Sequence, residues 1–254
     1  KKIRSSLIML TSPASAAGEA YRRIRTNLRF ARPDADVRSV VVTSPGKGEG
    51  KTTTATNLAL AQAQAGKRTL LIDADLRKSR IHRYLDVPRT PGLTEALYDA
   101  PDPADVPSPA DNLSLLTGGE EVPNPAELLG ARRMKELVKS MEEAFDLVVV
   151  DTAPVLLFSD PGALATHVDG TLLVASAGET DGAAFEQAAA RLDDVEAGRL
   201  GAILNGYDPE TQRGGYGYGY GYGDEDLEAY YEEDSDPPTS AAGRVRAWWN
   251  GDRG

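Results

Sequence analysis

Cysteine is absent from this chain. That excludes a disulfide framework, a thiolate nucleophile and any cysteine-held metal, and it suits a reducing compartment. No run of 18 apolar residues occurs, and nothing resembles a signal peptide. Positive charge is scarce: 28 Lys and Arg stand against 39 Asp and Glu, a formal net charge of −11. A surface of that sign argues against nucleic acid as a partner. The deficit is uneven, because Tyr207 to Gly254 hold 11 acidic and 4 basic residues, or −7 of the −11. Aromatic residues are few as well, yet ten of the sixteen are tyrosine and six of those lie between 216 and 231. At 254 residues the chain can build one α/β domain with a full core, with tails besides. It begins with Lys1 rather than Met, so we expect a fragment with an upstream part, a membrane span among the options.

What the chain does have is concentrated in residues 40–53, VVVTSPGKGEGKTT. A β-branched run leads into a glycine-rich turn, and Gly-Lys-Thr then opens a helical pattern. That is the strand, phosphate loop and helix of a P-loop nucleotide site. Glycines let successive N–H groups curl around a phosphate, and the helix points its positive end at the same place. The cradle comprises Gly46, Lys47, Gly48, Glu49, Gly50, Lys51, Thr52 and Thr53. Lys51 is expected to reach the outer phosphates of ATP or ADP, and the Thr52 hydroxyl to bind Mg2+. One departure stands out: the strict Gly-x4-Gly-Lys-Thr pattern wants glycine at 45, where this chain has Pro45.

Taken in order, residues 1–16 read as an extended arm with an apolar patch from Leu7 to Leu10. Residues 18–31 fit a helix with Ala20, Ile24, Leu28 and Ala31 as its apolar stripe. Glu19, Arg22 and Arg25 recur every three residues on another face, which by spacing alone is a solvated one. After the P-loop come a helix over 51–65, a buried strand over 68–73, a short helix over 92–99 and a surface loop from Pro101 to Asp111. A strand over 113–116 precedes one helix from Pro125 through 140, with Leu128, Leu129, Met134, Leu137 and Met141 inward. The apolar run 145–151 ends in Asp151 and has the form of a Walker B segment. Strands over 170–175 and 200–204 flank a helix over 180–195. Strands alternating with helices predict a doubly wound, mostly parallel α/β sheet with helices on both faces. We expect this P-loop domain to occupy 1–206, with 1–35 as its N-terminal arm and first helix. Residues 207–254 read as a flexible Gly/Tyr-rich acidic tail, since glycine at every second position is costly to order.

Asp73 and Asp75 sit at a strand's carboxyl end, the edge where open α/β sheets bind ligands. Lys51, Thr52, Asp73, Asp75 and Asp151 therefore converge from three strand ends. The set suits Mg2+-assisted phosphoryl transfer, with Asp73 and Asp151 in the metal shell and Asp73 or Asp75 acting on the attacking oxygen. Spacing alone leaves open whether that oxygen is water's or a tyrosine's. The tail favours tyrosine, with Tyr216, Tyr218, Tyr220, Tyr222, Tyr230 and Tyr231 as acceptors, and phosphorylation there would act by repulsion.

The chain resembles the cytoplasmic kinase domain of bacterial protein-tyrosine kinases of capsular and exopolysaccharide biosynthesis. The resemblance rests on SPGKGEGKTTTATNLA (44–59), LLIDADLR (70–77), NPAELL (124–129), FDLVVVDTAP (145–154), the GAILN ending at Asn205, and the Glu-x2-Arg-x2-Arg of Glu19, Arg22 and Arg25. It implies an ATP- and Mg2+-dependent autokinase whose tail enters a neighbour's site within a ring-like octamer built through Glu19, Arg22 and Arg25. It implies Asn205 against the adenine, and Arg77 near the phosphates or the subunit boundary. A membrane-embedded chain-length regulator or fused membrane segment, a cognate phosphatase and a place at the inner face of the cell membrane are implied too. Partition and septum-placement ATPases are the nearest relatives of that family. Their signature lysine would fall at Gly46, whereas Lys47 lies one place later. An ATPase switch of that type, or a nucleotide-dependent assembly scaffold, is the alternative function. The Walker B continuation Thr152-Ala153-Pro154 and the tail beyond Tyr231, with Trp248 and Trp249, are further departures.

Overall fold

The computed structural model describes residues 6–32, 35–102 and 105–207; the tail and its six tyrosines lie outside the described residues. Six strands form one all-parallel sheet: β1 (Ser39–Thr43), β2 (Thr69–Asp73), β3 (Leu113–Leu116), β4 (Leu147–Asp151), β5 (Gly170–Ser176) and β6 (Arg199–Asn205). Their order is β3-β2-β4-β1-β5-β6. β1, β2 and β4 are buried at every residue, which is why they read as continuous apolar runs and not as alternations. Alternate side chains still serve opposite layers. Val40, Val42, Leu71 and Val149 face one core, while Val41, Leu70, Ile72, Val148 and Val150 face the other.

The first layer is built on α3 (Lys51–Gln64), ten of whose fourteen residues are buried. α1 (Ile8–Thr11) and α2 (Ala16–Arg29) pack against it. The second layer holds α5 (Leu93–Ala96), α6 (Pro125–Gly130), α7 (Arg132–Ala144) and α8 (Asp160–Ala165). α4 (Ile81–Leu85) follows β2, and α9 (Gly182–Asp193) covers β5 with a smaller cluster around Leu173, Ala188 and Leu192. Among the described residues, no helix is long and apolar enough to cross a membrane.

Three local expectations are corrected, and two short helices had none. The arm is not extended where it is described: Leu7 and Met9 are buried and α1 is seated on α3. Polar side chains of α3 make that seat. Asn57 Oδ1 accepts from the Met9 N–H at 3.0 Å, Asn57 Nδ2 donates to the Ser6 carbonyl at 2.9 Å, and Gln64 Nε2 donates to the Met9 carbonyl at 2.7 Å. The inward stripe of α2 is Tyr21, Ile24 and Leu28, with Ala20 exposed. Bulk, and not the spacing of small residues, selects that face. The helix expected from Pro125 through 140 is two helices, because Ala131 is extended (φ −68°, ψ 153°). Leu128 is accordingly only half-buried. Finally, α4 and α8 are too short to leave a periodic signal.

Register places the chemistry. Val42 of β1 and Asp73 of β2 both pair with Asp151 of β4. The phosphate loop after β1 and the two strand-end carboxylates therefore share one edge of the sheet.

Candidate active site

The loop from Ser44 to Gly50 turns through two left-handed glycines, Gly48 (φ 90°) and Gly50 (φ 91°), before α3 begins. Position 45 needs no such freedom. Pro45 is buried at the exit of β1, and its carbonyl accepts from the Leu156 N–H at 3.3 Å. Proline lacks only an N–H, and the contact made here uses the carbonyl. Glu49 Oε1 accepts from the Gly46 N–H at 3.0 Å and so braces the loop across its base. Lys47 is exposed.

Asn205, at the end of β6, reaches the same loop. Its Nδ2 donates to the Glu49 carbonyl at 3.2 Å, and a Cβ on Gly50 would sit 2.1 Å from that nitrogen. Gly50→Ala is therefore expected to weaken nucleotide binding at least about tenfold. The left-handed backbone alone costs about 1–2 kcal/mol, and Asn205 must also move. Titration with a fluorescent ADP analogue measures this.

Lys51 opens α3 and its Nζ donates to Asp75 Oδ2 at 2.9 Å, both side chains being largely buried. Burial pulls the Lys51 ammonium down, but Asp151, Asp75 and Asp73 together outweigh it and hold its pKa above the ordinary value. Asp75 is aimed by its own turn, Oδ1 accepting from the Lys78 N–H at 3.0 Å. Asp73 is held from below: Oδ2 accepts from Ser79 Oγ at 2.8 Å, Arg80 N at 2.9 Å and Ile81 N at 3.0 Å. Its other oxygen, Oδ1, is buried without a partner, as are both oxygens of Asp151. Burial pushes the Asp73 carboxyl up to about 6 and the Asp151 carboxyl up to about 8, against the attraction of Lys51 on the latter. The Thr52 hydroxyl lies near enough to Asp151 to favour its charged form without a directed hydrogen bond.

Three buried, unpartnered carboxylate oxygens beside a threonine hydroxyl fit a hard divalent cation. Mg2+ takes one or two carboxylates and fills its octahedron with phosphate oxygens and water. No group of three or more acidic, histidine or cysteine side chains that could hold a metal ion occurs among the described residues.

The structure brings together Gly46, Gly48, Glu49, Gly50, Lys51, Thr52, Asp73, Asp75, Asp151 and Asn205, while Thr53 is half-buried, one residue before the buried run of α3. Arg77 lies on the same β2 loop but is clasped by Asp160: Nε to Oδ2 at 2.7 Å and Nη2 to Oδ1 at 3.1 Å. Glu19 pairs with Arg22 at 2.8 Å, Arg22 also donates to the Pro13 carbonyl, and Arg25 donates to Ala61 O of α3 at 3.3 Å. Sequence reasoning missed Ser79, Asp160 and Phe158. Asp160 stands 83 residues from Arg77, and no local pattern joins them.

Comparison with known proteins agrees with this geometry. The family described as the CobQ/CobB/MinD/ParA nucleotide binding domain matches residues 40–213. The chain is 41% identical over 207 residues to the tyrosine-protein kinase YwqD of Bacillus subtilis, covering 81% of this chain and 87% of YwqD. It is a bacterial tyrosine-protein kinase. The family resemblance extends to the putative tyrosine-protein kinase EpsB of Ralstonia solanacearum, at 37% identity and 80% of this chain, although the match spans only 28% of EpsB. Among solved structures, the kinase domain of Escherichia coli ETK superposes with a TM-score of 0.76 at 33% identity, covering 85% of this chain and 84% of that one. Likeness to a plasmid partition protein of Borrelia burgdorferi, at 17% identity and a TM-score of 0.51, extends the shared fold beyond the kinases.

Proposed function

We propose that this kinase is an autokinase that moves the γ-phosphate of ATP onto tyrosines in the tail of a neighbouring copy. The observation that carries the reading is the Lys51–Asp75 pair, set beside the unpartnered oxygens of Asp73 and Asp151 on a P-loop edge. The six tail tyrosines supply the acceptor.

With ATP bound, Lys51 and the loop N–H groups hold the phosphates, and Asn205 lies where the base leaves the loop. Lys51 turning to phosphate frees Asp75 Oδ2. The acceptor phenol oxygen attacks the γ-phosphorus, the bond to the β–γ bridging oxygen breaks with its electron pair leaving on ADP, and the phenol proton passes to Asp75. Thr52, Asp73 and Asp151 would hold Mg2+, which neutralises charge on the phosphate oxygens. A similar fold, cobyrinic acid a,c-diamide synthase of Mycobacterium smegmatis, has been solved with ADP and magnesium bound.

Intact-mass analysis after incubation with ATP and Mg2+ tests the reading. One to six added phosphates are expected on the full chain and none after truncation at 207. Phosphate release without any gain in mass would instead assign the chain to the ATPase switches.

The regulatory setting is part of the proposal. A ring of copies joined through Glu19, Arg22 and Arg25 would bring each tail to the next site, with a membrane-embedded polysaccharide chain-length regulator at the inner face of the membrane and a phosphatase resetting the tail. Because Arg22 and Arg25 are already tied to Pro13 and Ala61 within the chain, the three-alanine variant is expected to lose both the ring and some local order. Size-exclusion chromatography with light scattering should show a smaller species; an unchanged mass would count against this interface.

A further inference from the structure

The β2 loop makes one charged contact that the reaction above does not use. Asp160, at the start of α8, is fully buried, and its ion pair among the described residues is the two-pronged clasp on Arg77, whose side chain is about one third exposed. The guanidinium carbon of Arg77 also lies 4.4 Å from the centre of the Phe158 ring. Planar stacking and a bidentate carboxylate together suit arginine and not lysine. Two of the three guanidinium nitrogens of Arg77 thus point to α8.

What this clasp joins is informative. Arg77 sits inside the turn that runs from Asp75 to Lys78, closed by the Lys78 N–H donating to the Asp75 carbonyl at 2.9 Å and to its carboxylate at 3.0 Å. The same turn presents Asp75 to Lys51. On the other side, Phe158 and Asp160 belong to the segment that leaves β4 just after Asp151. The strand ends themselves are joined by the Ala74 N–H donating to the Asp151 carbonyl at 2.8 Å. The Arg77–Asp160 clasp is a second tie farther out, from the loop behind Asp75 to the loop behind Asp151.

We propose that Asp160 is a positioning residue for phosphoryl transfer. Acting through Arg77, and with Phe158 as a stacking support, it fixes the turn that carries Asp75 and hence the placement of Asp75 against Lys51. Arg77 on this account works from behind Asp75 and not on the phosphates. The inference deepens the reading of Lys51 and Asp75 under Proposed function and rests on it.

The test compares the wild type with Asp160→Asn, Arg77→Lys and Phe158→Leu. For each, kcat for tail phosphorylation, the KM for ATP, the Kd for a fluorescent ADP analogue with Mg2+, and the melting temperature are measured. Asp160→Asn and Arg77→Lys are expected to lower kcat about 10- to 100-fold, as small displacements of reacting groups do. Their Kd for the ADP analogue should stay within about twofold. Phe158→Leu should produce a smaller fall in kcat. If Asp160→Asn does not fold, Arg77→Lys and Phe158→Leu decide, since both leave a cation or an apolar side chain in place. A lowered melting temperature with kcat unchanged would reduce the clasp to a structural brace and overturn the proposal. A loss of ADP affinity matching the loss of rate would place Arg77 on the nucleotide and overturn it too. A wild type that transfers no phosphate at all would remove the autokinase reading itself, and this inference with it.

Discussion

Lys51→Met is expected to leave a folded protein that gains no phosphate. The ammonium donates to Asp75 directly, and it feels Asp151 and Asp73 as well. On the proposed mechanism it becomes the phosphate clamp when ATP binds. Removing a single preorganised donor of this kind costs about 100- to 1000-fold in rate. Intact-mass analysis over a time course measures it. Methionine also leaves three buried carboxylates facing one another without their counter-charge, so the metal-free variant should be less stable than the wild type and should regain more stability when Mg2+ is added. A variant that still phosphorylates its tail within tenfold of the wild-type rate would show that Lys51 is not the clamp.

Asp151→Asn should move activity and stability in opposite directions. Transfer is expected to fall at least about 100-fold, because on the proposed mechanism a carboxylate that would hold Mg2+ is lost. The metal-free fold, however, should gain. Both Asp151 oxygens are buried without a hydrogen-bond partner, and burial outweighs the pull of Lys51. Asparagine is no better hydrogen-bonded there, but it carries no charge that folding must desolvate or neutralise, which for a carboxyl moved from near 4 to about 8 costs at least about 1 kcal/mol at neutral pH. Recovering even that much raises the melting temperature of a chain this size by about 2–4 °C. The pH dependence has a definite sign. Asp151 titrates near 4 when unfolded and at about 8 when folded, so the unfolded chain sheds this proton first as pH rises. Metal-free stability should therefore fall between about pH 4 and 8 in the wild type, and this slope should flatten in Asp151→Asn. Differential scanning fluorimetry with chelator, at several pH values, reads both effects. A destabilised Asp151→Asn protein without metal would refute the account.

Which parts of this were legible in the sequence follows from the range of the interactions. The strands β1, β2 and β4 were readable because burial on both faces demands unbroken apolar runs. Lys51, Asp73, Asp75 and Asp151 were readable because a parallel sheet puts every strand's carboxyl end on one edge. The seat of α1 was not, since it depends on Asn57 and Gln64, two polar residues that the helix pattern does not set apart from its other polar positions. The break at Ala131 was hidden because alanine is a strong helix former and only packing makes it extended. The Arg77–Asp160 clasp joins loops after different strands, and their separation along the chain conceals it. Pro45 looked like a defect by pattern; the left-handed turns fall at Gly48 and Gly50, so the position never needed glycine.

The contact of Asn205 with the phosphate loop has a consequence for delivery. β6 ends there, and the chain continues from Tyr207 into the tyrosine-rich segment. Each tail thus starts from the rim of its own candidate site, and chain length alone sets a radius for every tyrosine. Tyr216, nine residues beyond Tyr207, can travel at most about 30 Å from that root, while Tyr231, 24 residues beyond it, can reach about 80 Å. The six tyrosines are therefore graded in range. On the proposed transfer between copies, a neighbouring site close by would be open to all of them and one farther away only to the distal pair, so the spacing between copies would be the ruler that selects which tyrosines are marked.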